Sequence, residues 1–141
     1  DITEKYAILA IDNSVSHKGK KSVLISISQN HPLKQSVYNW VRRIEGLEVS
    51  SIYELEGWIK TEGIQKSPYF EIQCWDKNKI IGRASTEQMY SLTGTKDWRY
   101  LKTIFTIPKG MVKVLLVAGV RSSENNGGKV WFDDIQIRKI R

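Results

Sequence analysis

Apolar and polar residues alternate along much of this chain with a period of two, the pattern of strands that have one buried and one outer face. Residues 111–120 are instead apolar on both faces, which predicts a central strand covered on both sides. No stretch shows the periodicity of a helix of useful length. The pattern predicts short strands or apolar runs at residues 6–11, 22–28, 35–44, 53–60, 69–76, 80–82, 98–107, 111–120 and 130–137.

Segments rich in turn-forming residues separate the predicted strands. Polar segments that contain Gly, Pro or Asn lie at residues 12–21, 61–68, 76–79, 84–97 and 121–129. Short strands at this spacing predict an all-β protein, an antiparallel β-sandwich or jelly roll. Residues 1–141 have the length of one domain and contain no internal repeat or linker, so we expect a single domain.

The two clearest strands each direct rings and polar groups to one side. The predicted inward sets are Tyr53, Leu55, Gly57 and Ile59 in the first strand and Phe70, Ile72 and Cys74 in the second. If both strands belong to one sheet, Trp58, Tyr69 and Trp75 form one outer platform among carboxylates and amides. Such a platform suits a sugar, because its CH face packs on a ring while its hydroxyls bond the polar groups. The alternative is that a loop or a neighbouring domain covers the rings.

Composition and charge exclude few classes of protein. The hydrophobic fraction of 40% and the lack of low-complexity tracts predict a folded domain. No apolar run approaches the roughly 20 residues that cross a bilayer, and residues 1–4 resemble neither a signal nor a transit peptide. The single cysteine, Cys74, is expected in the core. The net charge of +7 favours an anionic partner, but its even spread along the chain indicates a basic, solvated surface.

The residues do not form a strong catalytic arrangement. Glu54 and Glu56 share a face roughly 6.8 Å apart, a separation near that of inverting glycosidases. Side chains on one strand project in parallel and cannot flank a glycosidic bond, so we expect these glutamates to be solvated. His17 and His31 lie in loop-like segments and are expected at the surface, and no phosphate loop or dinucleotide motif is present. The sequence therefore favours a protein that is not an enzyme.

Four motifs follow one another between residues 16 and 137. Residues 16–22 read SHKGKKS before a strand, residues 53–60 read YELEGWIK, residues 94–98 read GTKDW in a segment that ends at Pro108, and residues 130–135 read VWFDDI. Together they resemble the motifs of carbohydrate-binding modules with a galactose-binding-like jelly-roll fold. This group includes the xylan- and β-glucan-binding modules that are appended to glycoside hydrolases.

The resemblance implies a non-catalytic module that binds an oligo- or polysaccharide. It also implies that the chain is tethered to a catalytic domain, as the accessory module of a larger secreted, extracellular glycoside hydrolase. Trp75 is the strongest candidate contact, because it stands beside the predicted turn at residues 76–79, where loops rarely cover a ring. The residues expected to form the ligand face are Trp75, Tyr69, Gln73, Trp58, Glu56 and Glu71, extended by Trp40 and Arg42.

The resemblance also raises the question of a structural calcium. Such modules usually begin with a Phe-Glu-x-Gly strand whose acidic side chain helps to hold calcium beside a terminal Asp pair, and residues 1–10 lack that motif. Asp133 shares the parity of Ile135 and Ile137 and is predicted to point inward, where a buried carboxylate needs a cation or several donors. One expectation is a calcium on Asp133 with carbonyls of residues 18–20. The other is a metal-free Asp133 that accepts backbone N–H bonds.

Two other functions stay open at this point. A basic sheet with exposed rings can bind an acidic glycan or stack the bases of a nucleic acid. Against nucleic acid, Glu54, Glu56 and Glu71 share the predicted ring face and would repel phosphates. The third possibility is a structural module between domains that binds no ligand.

Overall fold

The structure is a computed structural model that describes residues 6–32, 37–122 and 124–141. The described strand pairs are all antiparallel, which confirms the predicted all-β class. The strands are β1 (Ala7–Asp12), β2 (Ser22–Ile27), β3 (Val37–Ile44), β4 (Ile52–Ile64), β5 (Tyr69–Trp75), β6 (Ile80–Ser85), β7 (Gly94–Thr106), β8 (Lys113–Arg121) and β9 (Lys129–Lys139).

Two sheets pack face to face as a sandwich. Among the described residues, one sheet has five strands in the order β1-β2-β9-β4-β7, and the other has four in the order β3-β8-β5-β6. The chain crosses between the sheets repeatedly, for example from β4 to β5, as expected for a jelly roll. Within the described residues, no helix is long and apolar enough to cross a membrane.

The inner faces of the two sheets form the core. Leu55 and Ile59 of β4 and Phe70 of β5 are fully buried, as the period-two pattern predicts. Cys74 is also buried, which confirms it as a core residue, and burial raises the pKa of its thiol. Glycine is required at position 57, because a Cβ there would stand 2.7 Å from two ring carbons of Phe70.

The apolar strand β8 lies in the middle of the four-stranded sheet, between β3 and β5. Val114 and Ala118 face the core, and Val117 on the opposite side of the strand is also buried, with 3% of its surface exposed. The predicted central position of this strand is confirmed, whereas its outer face is covered only in part, because Lys113 and Leu115 are half-buried.

A β-bulge in β9 changes which of its residues face inward. Asp134 has a positive φ of 49°, and the pairing with β4 shifts register at this point. Beyond the bulge, Ile135 and Ile137 pack against the core, whereas Asp133 lies opposite Trp58 on the outer side of the sheet. The predicted inward position of Asp133 is therefore wrong. Counting by parity fails here because a bulge inserts one extra residue into the strand.

Several strands extend beyond their predicted ends. Residues 61–64, predicted as a connection, continue β4 and pair with the start of β7 through Thr61 and Lys96. Strand β6 likewise continues to Ser85. These extensions are mostly polar and carry no apolar alternation. Residues 35 and 36 of the predicted third strand lie outside the described residues.

Candidate functional site

The rings predicted to share one platform belong to different sheets. Trp58 lies on β4 of the five-stranded sheet, whereas Tyr69 and Trp75 lie on β5 of the four-stranded sheet. Both strands direct these rings away from the core, so Trp58 and Trp75 stand on opposite outer faces of the sandwich. The prediction of a single platform is therefore wrong, because the alternation within a strand defines its two faces but not the sheet that it joins.

A connected row of side chains runs along the outer side of β5. The indole N–H of Trp75 donates to Oε1 of Gln73 over 3.1 Å, and the Gln73 amide N–H donates to Oε2 of Glu71 over 2.7 Å. The Arg83 guanidinium lies 3.6 Å from the other Glu71 oxygen. We call Trp75, Gln73, Glu71 and Arg83 the β5 row. Since these groups hold one another in place, their side-chain rotamers are restricted.

Groups from the neighbouring strands border the β5 row. The Lys113 ammonium stands 5.1 Å from the centre of the Trp75 ring, a cation–π distance. Leu115 of β8 and Arg83 of β6 flank Gln73 on its two sides. Trp75 and Gln73 are half-buried, so each keeps part of its surface open to solvent. The site therefore combines an accessible ring with hydrogen-bonding and cationic groups.

Tyr69 precedes the β5 row on the same face but is not an open ring. It is 6% exposed and lies against Gly119 of β8, where a Cβ would stand 3.0 Å from the tyrosine oxygen. Burial and, secondarily, the carboxylates of Glu71 and Glu87 raise the pKa of Tyr69. Tyr69 thus packs at the end of the β5 row, and Trp75 is the ring of β5 that keeps part of its surface accessible.

Trp58 is covered on one side by the loop that precedes β2. The His17 imidazole stacks on Trp58 with ring centres 3.8 Å apart and planes inclined by 18°. The backbone N–H of His17 donates to Asp133 over 2.9 Å, and its Nδ1 lies 2.7 Å from the Asp134 carboxylate. The covered-ring alternative therefore applies to Trp58, and His17 is half-buried rather than at the open surface.

The two glutamates of β4 have partners on the outer side of the five-stranded sheet. Glu54 is buried and accepts a 2.8 Å hydrogen bond from Arg138, so its expected solvation is wrong. Glu56 accepts a short hydrogen bond from the Tyr100 hydroxyl, and this bond is the main reason that the pKa of Tyr100 is raised to about 12. Because they lie on the other sheet, neither glutamate contributes to the β5 row.

Trp40 and Arg42 do not extend the β5 row either. Both line a cleft between the two sheets, on the inner side of the edge strand β3. The Trp40 indole N–H donates to the carbonyl of Leu24 on β2 over 3.2 Å, which fixes the ring there. The sequence left the inward face of β3 undecided, and the structure assigns it to the Trp40 side.

Sequence reasoning missed residues that are defined only by long-range packing. Lys113 and Arg83 join the site through the pairing of β5 with β8 and β6, and no local pattern marks either of them. His31, predicted at the surface, is 4% exposed. Its Nε2 lies 2.6 Å from the Tyr38 hydroxyl and its Nδ1 lies 2.8 Å from the carbonyl of Pro32.

The contacts of Asp133 bear on the predicted calcium. Its Oδ2 accepts the N–H of His17 over 2.9 Å and its Oδ1 accepts the N–H of Asp134 over 2.8 Å. The carbonyl of Gly19, in the loop expected to supply ligands, accepts the Ser16 hydroxyl over 3.0 Å. In the described ranges, no three His, Cys, Asp or Glu side chains form a group that could hold a metal. By themselves these side chains do not fit a calcium, and their contacts match the metal-free alternative. The calcium on Asp133 stays a prediction.

Sequence comparisons connect the chain to a small part of much longer proteins. No family model matches it. The chain is 27% identical over 136 residues to the tRNA nuclease WapA of Bacillus subtilis strain 168, a match that covers 96% of this chain and 6% of the relative. The tRNA(Glu)-specific nuclease WapA of Bacillus subtilis subsp. natto matches to the same extent. The chain thus spans about 6% of the length of these curated relatives.

Structural comparisons give high-probability matches over almost the whole chain. The enzymatically active domain of tailspike protein 4 from bacteriophage CBA120 aligns with a TM-score of 0.71 at 14% identity, over 95% of this chain and 18% of that one. A family 16 carbohydrate-binding module aligns with a TM-score of 0.67 at 16% identity, over 96% and 88%. A family 22 xylan-binding domain from Paenibacillus barcinonensis aligns with a TM-score of 0.63 at 12% identity, over 95% and 88%. The chain therefore has the fold of carbohydrate-binding modules, as its sequence motifs implied.

Proposed function

We propose that this chain is a non-catalytic module that binds a neutral polysaccharide along the β5 row. The observation that carries the proposal is the half-buried Trp75 ring, whose indole N–H is fixed by Gln73 while Gln73 is fixed by Glu71. A ring held in this way keeps a defined orientation toward solvent. One sugar residue can pack its CH face on such a ring without the cost of ordering it first.

The polar members of the β5 row suit the hydroxyls of the same ligand. Carboxylate and amide oxygens of Glu71 and Gln73 have acceptor capacity beyond their present bonds. Arg83 and Lys113 supply donors on either side. Acceptors and donors around one ring are the arrangement that a polyhydroxylated ligand needs.

We propose a non-catalytic role because Glu54, Glu56 and Glu71 are poorly placed for acid and base catalysis. Glu54 and Glu56 lie on the other sheet and are bonded to Arg138 and Tyr100. Glu71 lies in the β5 row and is engaged by Gln73 and Arg83. Hydrolysis of a glycosidic bond generally needs two carboxyl groups on either side of that bond.

We also propose that the chain is one module of a larger secreted protein. The curated relatives are far longer than this chain, and one fold neighbour is a family 22 module joined to a xylanase catalytic module in a complex with xylohexaose. On this proposal the module holds a polymer beside the activity of another domain.

Nucleic-acid binding is the second candidate function. It is favoured by the match to relatives named as tRNA nucleases and by the cations Lys113 and Arg83 beside an accessible ring. Against it, Glu71 lies at the centre of the same row, where a carboxylate repels phosphates.

Affinity electrophoresis and calorimetry with a panel of plant and microbial polysaccharides test the proposed function. Trp75→Ala should weaken binding of the best glycan by about 2 kcal/mol, or roughly thirtyfold, the scale of a central aromatic contact. The matched control is Trp98→Ala, which removes a half-buried tryptophan from the other sheet and should leave affinity unchanged. Equal binding by Trp75→Ala and the wild type, or no binding to any glycan, would refute the proposal.

A further inference from the structure

An apolar cleft opens between the two sheets, away from the β5 row. Its volume is about 480 Å³, within the range of pockets that hold small molecules. Its walls come from both sheets and include Val23, Trp40, Leu116, Ile135 and Ile137. Val23, Trp40, Ile135 and Ile137 are only partly buried, although all four pack against the core. The cleft is thus an open extension of the hydrophobic core.

Two features of the chain shape this cleft. The bulge at Asp134 reverses the parity of β9 and turns Ile135 and Ile137 toward the interior. Strand β3 is the edge of its sheet, and within the described part of the chain no further strand closes the opening beside it. The hydrogen bond from Trp40 to Leu24 fixes the indole as a wall that joins β3 to β2. The cleft is therefore preformed by backbone pairing and one anchored ring.

Among the described residues that line the cleft, Arg42 alone is charged. It is exposed, and no carboxylate in the described part of the chain pairs with it. The adjacent Arg43 has the opposite parity on β3 and lies 3.0 Å from Glu45. An apolar wall with one uncompensated guanidinium complements a ligand that has an apolar body and one anionic group.

We propose that this cleft binds a small amphiphilic anion, with an aliphatic or aromatic body between the sheets and a carboxylate or sulfonate on Arg42. A sugar does not fit, because its hydroxyls would lose water against walls that offer them few partners. The ligand class differs from that of the β5 row, and the two sites lie on different faces of the four-stranded sheet. This inference is therefore independent of the proposed function.

Titration with 8-anilinonaphthalene-1-sulfonate, followed by displacement with decanoate, tests the inference. The wild type should show saturable binding of one probe molecule, reversed by decanoate but not by methyl decanoate. Arg42→Gln should weaken probe and decanoate about tenfold or more, the effect of losing a hydrogen bond between charged groups. Arg43→Gln makes the same charge change on the other side of β3 and should bind like the wild type.

Two further measurements locate the ligand. Ala118→Leu adds bulk to the cleft wall and should reduce probe affinity while the thermal midpoint shows that the variant is folded. Decanoate should shift the NMR signal of the Trp40 indole N–H and leave that of Trp75 in place. The inference is overturned if Arg42→Gln and Arg43→Gln behave alike, if the uncharged ester displaces the probe equally well, or if sedimentation shows that a second copy of the chain occupies the cleft.

Discussion

Gln73 links the other two β5 residues of the β5 row, because its side chain accepts a hydrogen bond from Trp75 and donates one to Glu71. We predict that Gln73→Ala weakens glycan binding less than Trp75→Ala, since water can replace one of its hydrogen bonds. We also expect the two effects to be non-additive, because part of the role of Gln73 is to orient the indole.

A double-mutant cycle measured by calorimetry checks this prediction. The variant with both substitutions should bind about as weakly as Trp75→Ala alone. Additive losses would mean that Gln73 contacts the glycan independently of the ring. The same cycle between Gln73 and Trp98, on the other sheet, provides the additive reference.

The side of a strand on which a residue lies was predictable where the strand is regular. Leu55, Phe70 and Cys74 are buried as expected, because inward and outward positions alternate locally. Asp133 was misassigned, since the positive φ at Asp134 creates a bulge that no local pattern marks. His31 was misassigned for another reason. Its burial depends on contact with Tyr38 of β3, which parity cannot show.

At the scale of secondary structure, the main feature that the sequence did not predict is which strands pair with one another. Alternation placed most of the strands and both faces of β4 and β5, but it does not encode which strands are neighbours. The chain crosses to the other sheet between β4 and β5, so Trp58 and Trp75 lie on different sheets. Lys113 lies at the site because β8 pairs with β5, and this pairing was not predicted either. Only the residues within β5 itself formed the predicted group.

The edge strand β1 is tied to β9 through Asp12. Oδ2 of Asp12 accepts the Trp131 indole N–H over 3.0 Å, and its Oδ1 accepts the N–H and hydroxyl of Ser14. The bond from Trp131, and then those from Ser14, lower the pKa of Asp12 from 3.8 to about 2. A lowered carboxyl pKa stabilises the folded state fully above the unfolded value and loses this effect as pH falls through the folded value.

We therefore predict that Asp12→Ala is less stable than the wild type at neutral pH and that the difference shrinks as pH falls from about 4 to about 2. Urea denaturation at several pH values measures the difference. A gap that stays constant over this pH range would show that the ionised carboxylate does not anchor β1. Asp97 is an exposed aspartate whose pKa is also lowered but which has no bond to Trp131, so Asp97→Ala separates general charge effects from this anchor.

Asp133 of β9 holds the loop that precedes β2. This contact limits how much further stability a bound calcium can contribute. Because Asp133 already accepts two backbone N–H groups, we predict that Asp133→Ala lowers the free energy of unfolding by about 1–3 kcal/mol without any metal. We expect chelation of the wild type to leave its thermal midpoint unchanged.

Calcium at about 10 mM makes this test decisive. An extracellular-type site with a dissociation constant of about 1 mM would add about 1.4 kcal/mol at that concentration. Elemental analysis and thermal melts with chelator or with calcium measure the effect. A calcium-dependent rise of the midpoint in the wild type that Asp133→Ala abolishes would contradict the metal-free arrangement and establish the calcium site.

The charge of the whole molecule separates the two candidate functions. The chain carries a net charge of +7, and two of its cations are at the candidate site: Arg83 belongs to the β5 row and Lys113 borders it. Binding of a polyanion through two such contacts releases counterions, so its affinity should fall about tenfold when salt rises fourfold. Binding of a neutral glycan by ring packing and hydrogen bonds releases none.

We predict that glycan affinity is nearly independent of salt between about 50 and 200 mM, the range in which a nucleic-acid complex weakens steeply. Calorimetry with the best neutral glycan, an acidic glycan and a transfer RNA at both salt concentrations measures the slopes. Substituting both Lys113 and Arg83 by Gln should abolish binding of the anions but weaken the neutral glycan only moderately, because Trp75 and Gln73 are retained and each introduced amide keeps an N–H donor. If only the anions bind, and bind with a steep slope that the double variant removes, the cations and not the ring define the site, and the neutral-glycan assignment fails.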